Sequence, residues 1–169
     1  IHNPQVLELL RGKGIHELEE LSPAGSRQGG TVIIRAHGVP PEDKRRLREA
    51  GFARVVDGTC PRVVRVQAII RRAAKDGALV VIVGDPAHPE VVGLLGHAGG
   101  RGRVAAGPEE VAGLPAAERV VAVAQTTQSE ENFGRVVAAL EGRYGRVEVH
   151  DTICEATHRR QEEVRRLAA

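Results

Sequence analysis

Runs of consecutive apolar residues alternate with helix-like segments along most of this chain, and this alternation limits the folds available to it. The apolar runs, rich in Val and Ile, lie at 31–38, 52–60, 78–85, 103–107, 118–127 and 146–154. The helix-like segments lie at 3–11, 40–51, 61–77, 88–99, 108–114, 129–145 and at the end of the chain. Strands that are apolar at nearly every position are typical of parallel sheets covered by helices on both faces. The sequence therefore predicts an α/β fold built on parallel sheets.

The same alternation divides the chain into one complete small α/β unit and parts of two others. We expect residues 61–153 to form the complete central unit, residues 1–60 to be the carboxyl-terminal part of a first unit, and residues 154–169 to begin a third. The sequence contains no Met and ends inside a helical pattern. These two features predict a chain that is truncated at both ends.

One motif occurs twice and contains the only two cysteines of the chain, Cys60 and Cys154. DGTCPRVVRVQ begins at Asp57 and DTICEATHRRQ begins at Asp151, and in both the cysteine is followed by Arg at plus five and Gln at plus seven. Each cysteine would stand at the amino end of a helix, where the helix dipole favours an anionic thiolate. A single free cysteine is more often a small buried apolar residue, but a duplicated one favours a shared chemical role.

Thiolates from repeated units would meet if the units surrounded a common centre. Two such thiolates are present in the chain, and a third would belong to a part of the protein outside it. Three sulfur ligands suit an iron–sulfur cluster with one open iron, or a zinc site. The sequence has no close-spaced C-x-x-C pair that would identify a local metal motif.

Residues with catalytic or binding chemistry follow the carboxyl ends of the predicted strands. These residues are His37, Cys60, His88, Glu90, Gln125, Thr126, Thr127, Cys154 and Thr157. Ligands of parallel α/β sheets bind outside the carboxyl ends of the strands, so the pattern predicts one shared site.

Each of these polar residues also has a simpler interpretation. Glu90 could deliver protons, and His88 could hold an anion or relay protons. Alternatively, His88 is an exposed loop residue and Glu90 is an acid that the helix dipole favours in a first turn. Thr126 and its neighbours could bind a ligand, or Thr127 and Ser129 could cap the following helix.

Composition and charge exclude several classes of protein. The net charge of +2 is too small, and three aromatic residues are too few, to indicate a nucleic-acid surface. No run of about 18 apolar residues predicts a membrane span. Two cysteines are too few for a disulfide scaffold, and no signal-like segment opens the chain. A cytoplasmic protein without membrane or nucleic-acid partners is therefore predicted.

Several segments, taken in order along the chain, together match the pattern of one enzyme family. They are AHGV (36–39), DGTCP (57–61), HPEVVG (88–93), QTTQS (125–129) and DTICEATHRRQE (151–162). This set resembles the 4-hydroxy-3-methylbut-2-enyl diphosphate reductases. The resemblance implies three α/β domains in a pseudo-threefold arrangement around a [4Fe–4S] cluster, which three cysteines hold and which leaves one iron open to the substrate hydroxyl.

The resemblance also implies which residues bind the cluster and the substrate. Cys60 and Cys154 would be cluster ligands, and the third cysteine ligand would lie outside this chain. His2, in a segment similar to the end of a family motif, would line the substrate pocket with His37 and His88. The last two would lie near the diphosphate.

The reaction implied by the resemblance is a reductive dehydroxylation that gives isopentenyl and dimethylallyl diphosphates, the last step of non-mevalonate isoprenoid synthesis. Glu90 would supply protons as the hydroxyl leaves as water, and Thr126 would orient the substrate and relay protons. Ferredoxin or flavodoxin would deliver the electrons singly. Because the family's first cysteine motif and its Ser-x-Asn diphosphate motif are not in this sequence, we expect the chain alone to be inactive.

Three other functions remain open on the residues alone. The chain could be a phosphate-ligand binding module with structural thiols, or a zinc hydrolase built on Cys60, Cys154, His88 and Glu90. It could also be a redox switch in which the two cysteines pair. Iron and sulfide in protein purified without oxygen would favour the cluster, and stoichiometric zinc would favour the hydrolase.

Overall fold

The computed structural model describes residues 3–18 and 29–168, in which helices and strands alternate as predicted. The elements, in chain order, are α1 (Pro4–Gly12), β1 (Thr31–Ile34), α2 (Pro41–Glu49), β2 (Arg54–Asp57), α3 (Pro61–Lys75), β3 (Leu79–Val83), α4 (Pro89–Gly96), β4 (Gly102–Ala105), a 3-10 helix (Pro108–Gly113), β5 (Val120–Ala124), α5 (Glu130–Tyr144), β6 (Val147–His150) and α6 (Glu155–Ala168). Among the helices in these ranges, none is long and apolar enough to cross a membrane.

The described strands pair in parallel and form two sheets. β1 pairs with β2, and the other four strands form a sheet in the order β4-β3-β5-β6. From β3 the chain goes to β4 on one side and then returns to place β5 on the other side of β3. The strand order therefore reverses between β3 and β5, and parallel α/β sheets bind their ligands outside the carboxyl ends of strands at such a point. The predicted α/β fold with parallel sheets is confirmed.

Helices cover both faces of the four-stranded sheet. On one face, α3 and α4 bury Ile70 and Leu94 against Val80 and Ile82 of β3. On the other face, α5 buries Leu140 against the alternate residues of the same strands. Because successive side chains of a strand point to opposite faces, β3 must be apolar at every position, as its sequence LVVIV is. Fully burying each such side chain contributes about 1.5–3 kcal/mol.

Helix starts follow the predicted sequence signals. The helices α2, α3 and α4 each begin with a proline, whose missing N–H costs nothing in the first turn. Ser129 caps α5, because its hydroxyl accepts a hydrogen bond from the amide of Asn132. Thr127 does not share this capping role; its hydroxyl accepts from the side-chain amide of Gln125 at 2.6 Å.

The strands are shorter than their apolar runs, and one helix is of a different type. The segment 108–114, predicted as an α-helix, contains a 3-10 helix of six residues. The runs 52–60 and 146–154 leave strand geometry before their cysteines, at β2 and β6. In both runs an aspartate carboxylate, Asp57 or Asp151, accepts a hydrogen bond from the amide two residues later and turns the chain.

The loop after β1 packs on α4 and so joins the smaller sheet to the larger one. A Cβ placed on Gly96 would lie 2.7 Å from the Cβ of Pro40, so the loop and the helix approach closely here. Nearby, Arg71 of α3 donates to Nδ1 of His97 at 3.1 Å. Burial lowers the pKa of His97, and the Arg71 cation lowers it further.

The unit boundaries expected from the sequence stay a prediction.

Candidate active site

A buried carboxylate with both oxygens hydrogen-bonded lies near the carboxyl ends of β3 and β5. Glu90, in the first turn of α4, is 1% exposed. The amide of Thr126 donates to its Oε1, and the hydroxyl of Thr126 donates to its Oε2, both at 2.7 Å. Burying a carboxylate is costly in free energy unless it is paired or hydrogen-bonded. These two bonds offset the cost of burying Glu90. They also fix Glu90 and Thr126 as one unit.

His88 joins this pair from the N-cap position of α4. Its Nδ1 accepts a hydrogen bond from the amide of Glu90 at 3.1 Å. A neutral ring that accepts at one nitrogen carries its proton on the other, so Nε2 is the donor of His88. The ring of His37 stands edge-on to the ring of His88, with centroids 5.2 Å apart and planes at 80°. The two histidines predicted for the site therefore lie side by side, next to Glu90.

Gln125 connects the loops that follow β3 and β5. Its Oε1 accepts a hydrogen bond from the amide of Asp85 at 3.0 Å, and its Nε2 donates to Thr127. Gly84 makes room for it, because a Cβ at that position would lie 2.8 Å from Oε1 of Gln125. Gln125 is buried, so it fixes the distance between the loop of His88 and the loop of Thr126.

Cys60 and Cys154 occupy equivalent positions, as the duplicated motif predicts. Each directly precedes a helix, α3 or α6. The amide of Cys60 donates to the carbonyl of Ala36 at 2.9 Å, and the amide of Cys154 donates to the carbonyl of Thr126 at 2.8 Å. Ala36 and Thr126 each stand two residues beyond the end of the neighbouring strand. The two cysteine arms thus share one backbone geometry.

The two helix starts that carry the cysteines lie near each other. Arg62, in the first turn of α3, forms an ion pair at 3.9 Å with Glu155, the first residue of α6. Exposed ion pairs of this kind contribute little to stability, but the distance reports proximity. Both cysteines are free and half-buried. The thiols therefore stand at neighbouring helix starts.

The described His, Cys, Asp and Glu side chains do not form a complete metal site by themselves. In residues 3–18 and 29–168, no group of three or more His, Cys, Asp and Glu is placed to hold a metal ion. The alternative zinc site of Cys60, Cys154, His88 and Glu90 is therefore not formed by these residues, and both oxygens of Glu90 already accept bonds from Thr126. Two thiols at equivalent helix starts are the ligand type of iron–sulfur clusters.

Direct contacts join the predicted site residues into one path. The path runs through Cys60, Ala36, His37, His88, Glu90, Thr126 and Cys154. Of the residues predicted for the site, His2 lies outside the described ranges. The others are brought together at the carboxyl ends of the strands.

A lysine and a threonine hold Asp57 at the turn before Cys60. Lys44 donates to Oδ2 of Asp57 at 2.5 Å, and the hydroxyl and amide of Thr59 both donate to Oδ1. The bond from Lys44, followed by the bond from the Thr59 hydroxyl, lowers the pKa of Asp57 from its usual 3.8 to about 2. The turn that positions Cys60 therefore depends on an ionised Asp57. Sequence reasoning noted Asp57 only as part of the repeat.

We expect acid to weaken this turn between about pH 4 and about pH 2. Because the folded pKa of Asp57 is depressed to about 2, its contribution to stability is complete above pH 3.8 and is lost as the pH falls through 2. The contribution should be modest, because the side chain is 39% exposed and screened by solvent. Urea unfolding of the wild type and of Asp57→Asn over this pH range measures it. Identical pH dependence in the two proteins would contradict the prediction.

The loop that carries His37 depends on the glycine that follows it. Gly38 has a positive φ of +70°, and a Cβ there would lie 2.6 Å from Nε2 of Gln67. Gly77 has a similar φ of +83°, but no atom lies within 4 Å of its Cβ position. Gly38 therefore meets both a conformational and a packing requirement, whereas Gly77 meets only the first.

Gly38→Ala should destabilise the protein more than the matched variant Gly77→Ala. Left-handed backbone costs alanine about 1–2 kcal/mol at either position, and the contact with Gln67 adds to this cost only at position 38. Urea unfolding of both variants separates the two terms. Equal losses of stability would mean that the Gln67 side chain moves aside freely and does not constrain the loop.

Comparison with known proteins agrees with this architecture. The model of the LytB protein family matches residues 1–169, the whole chain. The 4-hydroxy-3-methylbut-2-enyl diphosphate reductase of Citrifermentans bemidjiense is 42% identical over 168 residues, which cover 99% of this chain and 58% of that protein. The chain thus spans a little under three fifths of the length of this curated relative.

Two solved structures are similar to the chain in fold. One is an (E)-4-hydroxy-3-methyl-but-2-enyl diphosphate reductase, described as the terminal enzyme of the non-mevalonate pathway. It matches with a TM-score of 0.82 and 42% identity over 99% of this chain and 59% of its own. The other, E-1-hydroxy-2-methyl-but-2-enyl-4-diphosphate reductase from Plasmodium falciparum, has a TM-score of 0.86 and 26% identity, covering 96% of this chain and 51% of its own.

Proposed function

This chain belongs to the LytB protein family, and we propose that it supplies most of the active site of a 4-hydroxy-3-methylbut-2-enyl diphosphate reductase. The reaction adds two electrons and two protons to the allylic substrate. The carbon–oxygen bond of the hydroxyl breaks, one proton leaves with the oxygen as water, and the other is added to carbon. The products are isopentenyl and dimethylallyl diphosphates. The rest of a complete protein would close the site.

The buried unit of Glu90 and Thr126 is the observation that carries this proposal. A dehydroxylation needs a proton source that is shielded from water and aimed at the leaving oxygen. Glu90 is 1% exposed and bonded through both oxygens to Thr126. An exposed helix-capping glutamate would have neither the burial nor these bonds.

We propose that protons pass from Glu90 to the substrate through the hydroxyl of Thr126. In the structure this hydroxyl donates to Oε2 of Glu90 at 2.7 Å. Once Glu90 is protonated, the same hydroxyl can accept from the carboxyl group and donate its own proton outward. The amide of Thr126 holds Oε1 throughout at 2.7 Å, so the carboxyl group keeps its orientation while the proton moves.

The two histidines are proposed to bind the diphosphate. Because Nδ1 of His88 accepts from the Glu90 amide, its Nε2–H is left to donate to a phosphate oxygen. His37 stands against His88 with ring centroids 5.2 Å apart, so both rings can reach one extended anion. His2, beyond the described ranges, is proposed to join them.

Cys60 and Cys154 are proposed to hold two irons of a [4Fe–4S] cluster, with the third cysteine outside this chain. When bound, the cluster would transfer electrons one at a time to the substrate. The proposal is supported by the equivalent backbone bonds of the two cysteines, at 2.9 and 2.8 Å. A cytoplasmic ferredoxin or flavodoxin would supply the electrons, because these proteins carry them singly.

A chimeric protein tests the proposed function. Residues 1–169 would replace the matching segment of the Citrifermentans bemidjiense reductase, which is 42% identical to this chain. Purified without oxygen, the chimera should contain iron and sulfide and should convert the diphosphate substrate when reduced. The isolated chain is expected to show no turnover.

Two outcomes would overturn the proposal. A folded chimera that contains iron and sulfide but releases no isoprenoid diphosphate would show that these residues do not support the reaction. A folded chimera that binds the diphosphate with no iron would instead favour the phosphate-binding module. The unmodified Citrifermentans bemidjiense protein is the positive control.

A further inference from the structure

A glutamine stands seven residues after each cysteine, as Gln67 in α3 and Gln161 in α6. We propose that these two glutamines are positioning residues that tie each cysteine helix to the loop of the neighbouring strand. The loop held by Gln67 carries His37, and the loop held by Gln161 carries Thr126. Their effect on catalysis rests on the proposed function; their effect on the loops does not.

The spacing places each glutamine on the same face of its helix as the cysteine. Seven residues are close to two turns of an α-helix, about 10.5 Å along the axis. The cysteine amide already binds one residue of the loop that follows the neighbouring strand. The glutamine side chain, two turns further along the helix, can contact a second residue of the same loop. Each helix would then hold its loop at two points.

Gln67 meets the loop at Gly38. It is buried, with 7% exposure, and its Nε2 lies where a Cβ on Gly38 would be only 2.6 Å away. The second point on this loop is Ala36, whose carbonyl accepts from the amide of Cys60. His37 lies between these two points, so its ring can move little relative to α3.

Gln161 makes the corresponding contact in the other arm. Its Nε2 donates to the carbonyl of Gln128 at 3.3 Å. The second point on that loop is Thr126, whose carbonyl accepts from the amide of Cys154. Thr127 lies between the two points, in the place that His37 has in the first arm.

The two arms agree residue by residue, which argues against coincidence. Gly38 and Gln128 both stand four residues after the end of a strand, β1 or β5. Asp57 and Asp151 make the same turn before each cysteine. Gln161 adds a hydrogen bond to its contact, and Gln67 packs closely on the equivalent loop position.

Hydrogen exchange of the 169-residue chain tests the positioning role without turnover. Gln67→Met keeps the length of the side chain and removes the amide, so it avoids a cavity. It should speed exchange of the Gly38 and Cys60 amides several-fold, because the close contact between the Gln67 amide and Gly38 is lost. The amides of Gln128 and Cys154 should not change. Gln161→Met should give the opposite pattern.

Three results would overturn the inference. The first is that both Met variants leave the exchange of all four amides unchanged. The second is that each variant speeds exchange equally in both loops, as a general loss of stability would. The matched control Arg65→Ala replaces the exposed repeated arginine of the same helix, and it should change neither loop. An Arg65→Ala effect equal to that of Gln67→Met would also remove the special role of glutamine.

Kinetics of the chimera separate this inference from the proposed function. Gln67→Met acts on the loop of a diphosphate-binding histidine, so it should raise KM several-fold with kcat within about twofold. Gln161→Met acts on the loop of the proton-relay threonine, so it should lower kcat with little change in KM. Confirmed exchange patterns in a chimera without turnover would retain the positioning role and reject the reductase. Identical kinetic effects of the two variants would reject the division of roles.

Discussion

Replacing Cys60 with serine should abolish assembly of the proposed iron–sulfur cluster in the chimera. A serine hydroxyl is a poor substitute for the thiolate that iron–sulfur clusters require. The fold should survive, because Cys60 is half-buried and its backbone amide, not its thiol, makes the bond to Ala36. Iron and sulfide per protein should fall from near stoichiometric to near zero. Cys154→Ser should have the same effect, since its position is equivalent.

A matched control shows whether the loss comes from the thiol. Val64→Ser introduces the same hydroxyl into the next turn of α3, at a residue that is 43% exposed. Iron and sulfide should remain unchanged in this variant. If Cys60→Ser retained full iron and sulfide, Cys60 would not be a ligand, and a redox pair or a structural thiol would explain the repeat instead.

Much of the fold could be predicted because its strongest signals are local. A strand buried on both faces, such as Leu79–Val83, must be apolar at every position, and the sequence displays this directly. Proline at the start of a helix and Ser129 at a cap act through their own backbone neighbours. The ends of β2 and β6 were harder to predict, because Asp57 and Asp151 compete for backbone amides that a longer strand would use.

The proximity of the candidate site residues could also be predicted, but their hydrogen bonds could not. Parallel strands bring their carboxyl ends to one edge, so His88, Glu90 and Thr126 were expected near one another. Nothing in their spacing indicates that Thr126 would bond both oxygens of Glu90. That geometry depends on the order of β3 and β5 in the sheet, which is a long-range property.

The duplicated motif carried more information than its cysteines. The repeated Asp and Gln positions were visible in the sequence, yet only the shared contacts gave them a meaning. Asp151 makes the same turn as Asp57. Gln161 contacts Gln128, and this loop position corresponds to Gly38, which Gln67 contacts. A repeat therefore predicts equivalent geometry at every matched position, including those without reactive chemistry.

Glu90→Gln should lower turnover of the chimera by about 100-fold or more while the cluster is retained. General acid catalysis contributes about 10²–10⁴-fold, and a glutamine has no proton to give. The structure should tolerate the change, because the amide oxygen of glutamine can accept from the Thr126 amide as Oε1 of Glu90 does. The side-chain NH₂ can then donate to the Thr126 hydroxyl. Stability should change little, and iron and sulfide should remain.

Two further variants show whether the loss of turnover comes from the missing acidic proton or from a change in the fold. Glu90→Ala leaves the amide and hydroxyl of Thr126 without acceptors, so it should cost about 1–3 kcal/mol of stability for each buried group. Glu131→Gln, at an exposed glutamate that also stands in the first turn of a helix, should leave turnover and stability unchanged. Anaerobic turnover, urea unfolding and iron content of all three variants supply the measurements. If Glu90→Gln kept more than a tenth of the parent turnover, Glu90 would orient Thr126 without donating a proton, because its geometry would persist and its acidity would not.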